Sequence, residues 1–152
     1  MIEPLLDAWR TNNRVNLFLL DAVSDEDLDV PLEKGKPVRA QFAHLVNVRR
    51  MWLKMSARDL LDTEDKIDRR KATREELREA LNATCEAIAG LLARSATPGD
   101  KVKGRPSTAA TFFAVMIAHE GEHRGQIQLA LRQAGRELCD EVQLGLWEWQ
   151  KR

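Results

Sequence analysis

Histidine occurs three times in this chain of 152 residues: His44 alone, then His119 and His123 four apart. On a helix, side chains at i and i+4 stand one above the other with Cβ atoms roughly 5–6 Å apart. Two such imidazoles can converge on one ion at about 2.0–2.1 Å from each nitrogen, and His44 on a facing helix would complete a three-histidine cap. At roughly 100° per residue, the direction midway between His119 and His123 is shared by Phe112 and approached by Val115, Met116, Gln126 and Ile127. The pair therefore points into an apolar stripe. Three burial-prone imidazoles are more economically explained by one shared divalent ion than by three separate polar partners. Neutral ligands leave that ion its full double charge and open positions, so it stays a strong Lewis acid. Zinc, nickel and iron all suit a histidine site, and affinity alone does not choose among them.

The string H-E-G-E-H at 119–123 also fits the H-E-x-x-H pattern of zinc hydrolases, in which the glutamate is the general base. A third ligand downstream would have to be Glu137 or Glu141, both beyond Gly135, and the chain offers no sheet to align a peptide. Glu120 and His123 together form E-x-x-H, half of a di-iron bundle motif. The second copy is missing, because Gln41 stands at the corresponding place before His44. Glu120 and Glu122 each lie about 80° around the helix from the metal direction, which makes them the candidate catalytic bases, or else surface carboxylates. Asn47 and Gln126 flank the ligand positions and are candidates for contacts to ligands or substrate, or else ordinary polar positions at the bundle rim.

These residues must be carried by helices. Leu5, Leu6, Trp9, Asn13, Asn16, Leu17 and Leu20 recur at helical spacing from about residue 3 to 22. S-D-E-D-L-D-V-P ends that helix, and a turn at Gly35 to Pro37 opens a second one, with His44 in its middle. Thr73 with Glu76 forms a capping box for a third helix over 74–95 that buries Leu77, Leu81, Ile88, Leu91 and Leu92. The loop Thr97 to Pro106 follows, Ser107 or Thr108 caps a fourth helix, and Gly135 stops it. The tail forms one more short helix carrying Trp147 and Trp149. Helices of about 20 residues are roughly 30 Å long. Four of them build an all-α, antiparallel four-helix bundle as a single domain over 1–152, and mid-helix histidines meet at its mid-height.

Lys and Arg number 24, as do Asp and Glu. The zero net charge lacks the basic field that nucleic acid or an anionic membrane demands. The run Arg69, Arg70, Lys71, flanked by Asp65, Asp68, Glu75 and Glu76, reads as a solvated helix surface. Cys85 and Cys139 stand far apart, which argues against a disulfide framework and for a reducing, cytoplasmic setting. The N-terminus does not read as a signal peptide, and no apolar run is long enough to span a bilayer.

The segments A-Q-F-A-H-L-V-N-V-R-R-M-W-L-K and A-H-E-G-E-H-R-G-Q-I-Q-L-A-L-R-Q-A-G, with the closing L-G-L-W-E-W, resemble the DinB family of metal-binding four-helix bundles over nearly the whole chain. The family's single histidine on the second helix falls on His44, and its H-x-x-x-H on the fourth falls on His119 and His123. The resemblance implies a four-helix bundle, usually a homodimer, with a divalent ion on the three histidines. Some relatives are S-transferases or isomerases that use bacillithiol or mycothiol. Fold membership does not select among functions. The reading that follows is a metal-dependent transferase joining a low-molecular-weight thiol to a small electrophile. Its alternatives are a non-catalytic metal-binding module of a stress response and a metal-dependent hydrolase using H-E-x-x-H. Trp52, Trp147 and Trp149 are assigned to core or dimer packing.

Overall fold

The computed structural model describes residues 2–96 and 108–152. Four long helices dominate: α1 (Glu3–Ala22), α2 (Val38–Ser56), α3 (Arg74–Arg94) and α4 (Ala109–Gln133), followed by a short α5 (Asp140–Gly145). No strand occurs among the described residues. The ends form where local chemistry directs them. Thr73 Oγ1 accepts from the Glu76 N–H while the Glu76 carboxylate accepts from the Thr73 N–H, closing the expected capping box. Thr108 caps α4 by accepting from Thr111 N–H. At the other end of α4, Gly135 takes φ +71°. There the Gly135 N–H bonds Arg132 O and the Arg136 N–H bonds Leu131 O, which satisfies carbonyls that the helix end leaves open. The expected loop at 97–106 and the alternative cap Ser107 lie outside the described residues.

The helices assemble as a bundle that departs from the simple antiparallel arrangement, with two of its neighbouring pairs, α1 with α4 and α2 with α3, running parallel. α1 packs on α3 and α4, and so does α2. Arg10 with Glu86 and Asn13 with Asn82 set α1 antiparallel to α3. Gln41 with His123 and Trp52 with Phe112 set α2 antiparallel to α4. In contrast, Arg39 reaches Ala72 O at one end and Arg49 reaches Leu81 O further along, so α2 and α3 run parallel. The connection explains this. Residues 57–73 separate the two helices, and at roughly 3.3 Å per residue such a stretch easily returns along a helix of about 28 Å.

That returning segment is a strap on α2. Asn47 pins it by donating to Ile67 O and accepting from Ile67 N–H, at 3.2 and 3.0 Å. Arg50 holds it with a two-point pair to Asp62. Arg69, Arg70 and Lys71 belong to a turn of this strap, which corrects their reading as a helix surface: the Asp68 carboxylate accepts from the Arg70 and Lys71 N–H groups and bends the chain ahead of the Thr73 cap.

Two apolar clusters fill the bundle. One gathers Leu19, Leu20, Phe42, Leu45, Leu81, Ile127 and Leu131. The other gathers Trp9, Leu53, Ile88, Leu92, Phe112 and Met116. Between them lies a buried polar layer of Asn12, Asn13, Asn16, Arg49, Glu120 and Arg124. The tail differs from expectation in detail: α5 ends at Gly145, ahead of both tryptophans. Trp149 packs against the first cluster, whereas Trp147 stands 83% exposed.

Candidate metal centre

The bundle brings His44, His119 and His123 together, and their ligand atoms all lie within 4.8 Å of one another. His119 and His123 share a face of α4, with ring centroids 4.5 Å apart. His44 approaches them from α2, at 5.3 and 4.6 Å. His123 is buried, whereas the other two imidazoles are half-buried.

One neighbour fixes the chemistry of the centre. Gln41, one helical turn before His44, donates its amide N–H to Lys36 O, which leaves its Oε1 facing His123 Nδ1 at 2.5 Å. An amide oxygen only accepts, so His123 carries its proton on Nδ1 and presents a bare lone pair at Nε2. That Nε2 lies 3.1 Å from His119 Nε2, while His119 Nδ1 is buried without a partner. A cation taking both Nε2 lone pairs leaves both imidazoles in the Nδ1–H form that suits ligation. Neighbouring nitrogens held at about 2.1 Å by one tetrahedral or octahedral ion stand roughly 3.0–3.4 Å apart, which the 3.1 Å His119–His123 pair already meets and which the 4.8 Å spread of the full set reaches with a shift of roughly 1.5 Å. The residues fit a divalent ion.

Electrostatics favour the neutral, ligating form of all three. Burial, then the neighbouring imidazoles His119 and His44 and the Lys36 charge, push His123 down to about 4. Burial together with Lys36, His119 and Arg69 lowers His44, and burial lowers His119.

The other expected site residues fall elsewhere. Glu120 points away from the histidines into the polar layer and is fully buried. Arg49 donates to both its oxygens at 2.7 and 2.9 Å, and Asn12 and Asn16 donate at 2.6 and 2.7 Å. Burial pushes this carboxyl up, but the Arg49 charge and these bonds outweigh it and hold Glu120 below the usual carboxylate range. Its lone pairs are committed to this buried ion pair and to the two asparagines. Glu122 is exposed and accepts from Gln126 at 3.3 Å. Asn47 serves the strap. Gln41 went unrecognised as a site residue, although its place at i−3 from His44 put it on the ligand face.

A model of the DinB family matches residues 1–145. No curated protein and no solved structure matches the chain.

Proposed function

The chain belongs to the DinB family, and from that premise we propose that it is a metal-dependent transferase that activates a low-molecular-weight thiol and joins its sulfur to a small electrophile. The observation that carries this reading is the paired Nε2 atoms of His119 and His123, 3.1 Å apart, with Gln41 holding the ligating tautomer. A divalent ion bound there supplies Lewis acidity that favours thiolate over thiol near neutral pH. In the net reaction the thiol loses its proton, a carbon–sulfur bond forms, and the leaving group departs with its electron pair.

The protein's own sulfurs do not serve. Cys85 is buried beneath Trp9, whose indole N–H bonds Cys85 O, and burial pushes its thiol up to about 11. Cys139 stands exposed just before α5. Neither cysteine joins the histidine group among the described residues, so the proposed transferase draws its sulfur from an external thiol. Glu122, whose negative charge acts on His119, is the acidic side chain left to accept a proton once Glu120 is committed to Arg49. The free state of both cysteines suits a reducing cytoplasm. No helix among the described residues is long and apolar enough to cross a membrane.

The test is a panel of thiols, namely glutathione, bacillithiol, mycothiol and cysteine, offered with an aryl or alkyl electrophile to metal-loaded wild type and to His123→Ala. At least one thiol is expected to turn over with wild type alone. Equal rates with the variant for every thiol would replace the transferase with a non-catalytic metal-binding module.

A further inference from the structure

The strap and the N-terminal half of α2 enclose a cleft of about 1020 Å³ with His44 in its wall. Its charge is one-sided. Lys36, Arg39, Lys66, Arg69 and Arg70 line it, against Asp29 and Asp68. Arg39 is already neutralised by a two-point pair with Asp29 and a bond to Ala72 O. Lys36, Lys66, Arg69 and Arg70 have no ion-pair partner among the described residues. Elsewhere the chain pairs its arginines closely: Arg10 with Glu86, Arg50 with Asp62, Arg78 with Asp21, Arg94 with Asp59. In a chain of zero net charge, four cations facing the single remaining carboxylate of Asp68 around one concavity form a local positive field that draws anions inward. Val48, Ile67 and the half-exposed Met51 add apolar wall.

We propose that this cleft binds a small organic oxyanion, with its carboxylate or phosphate on Lys36, Lys66 and Arg69 and its uncharged reactive end directed at the histidines. This names the substrate class for the transferase reading and rests on it only for the identity of the reacting end. Guanidinium groups match the planar oxygens of a carboxylate or phosphate, and ammonium groups add point charge. The volume is at the upper end of small-molecule sites. Lys36 also stands two residues ahead of α2 and gives its carbonyl to Gln41, so the residue that meets the anion is bonded to the residue that orients His123. The strap is held by Asn47 and Arg50, not by its cations, which leaves those cations available to a ligand.

Isothermal titration of the full chain tests this, with succinate, inorganic phosphate and neutral succinamide as probes at low ionic strength. Each is run on chelator-stripped protein, and succinate also on zinc-loaded protein. Succinate, phosphate or both should saturate one site while succinamide does not, and the active arm identifies which oxyanion the cleft prefers. Lys36→Ala/Arg69→Ala should weaken that binding about tenfold, whereas Arg94→Ala/Lys151→Ala, which removes two cations elsewhere, should not. Added salt should weaken it as well, because the cations are at the surface. Absence of saturable binding by either anion, or equal weakening in the two double variants, overturns the proposal. A zinc titration of the same samples separates the two readings: anion binding without zinc binding removes the transferase and leaves the cleft, and zinc binding without anion binding does the reverse.

Discussion

Arg49 and Glu120 face each other as a two-point ion pair, 2.7 and 2.9 Å between heavy atoms, with both side chains wholly out of solvent. The pair joins α2 to α4 one turn from His123 and next in sequence to His119, so it fixes the rotation of the helices that present the ligands. Arg49 also donates to Asn13 and Leu81 O and lies over the Trp9 ring. Removing one partner strands the other as an uncompensated buried charge. Glu120→Ala is expected to destabilise the protein by about 3–5 kcal/mol in urea unfolding. A loss below about 1 kcal/mol, with activity abolished, would return Glu120 to the role of general base.

Gln41 holds His123 by its Nδ1 proton. Partners that orient a ligating histidine typically contribute about 10–100-fold to metal affinity. Gln41→Ala should therefore weaken zinc binding by that factor in competition with a chromophoric chelator, with helix content unchanged. Affinity equal to wild type would detach Gln41 from the centre.

The depressed imidazoles set a pH dependence whose sign is fixed. His123 falls from its ordinary 6.5 to about 4, so between those values the unfolded chain binds more protons than the folded one. Stability of the metal-free protein is then full above pH 6.5 and is lost as pH falls toward 4. Bound metal should likewise persist below pH 6.5, the ordinary imidazole value. Thermal melts of chelator-stripped protein across this range check the first statement, and a melting temperature that rises on acidification would contradict it.

Trp147 and Leu144 project from the C-terminal segment at 83% and 66% exposure, apolar surface that a second copy of the chain would cover. A homodimer is the expected state in sedimentation at tens of micromolar, with Trp147→Ser shifting it to monomer. A wild-type monomer at that concentration would reject the assembly.

Much of this was legible in the sequence because it follows local rules. Capping at Thr73, the stop at Gly135 and the i, i+4 pair on α4 each depend on a few adjacent residues, and the structure places them as their chemistry requires. What escaped is set by the chain's return path. Nothing near Arg69 says that the strap doubles back along α2, so a run of charges that looks solvated becomes the wall of a cleft. The burial of Glu120 is hidden for a related reason. Its angle on α4 is compatible with a site or a core position, and only the arrival of Arg49 from α2 decides between them. Parallel packing of α2 on α3 is equally invisible to periodicity, which reports faces and not directions.

The central claim is that His44, His119 and His123 hold one divalent ion, and metal content measures it most directly. Protein loaded with zinc or nickel and freed of excess should retain about one equivalent, and alanine at any of the three histidines should abolish that retention, with a chelator lowering the wild-type melting temperature. Wild type retaining less than about a tenth of an equivalent after loading, with no chelator effect on melting, would contradict the account.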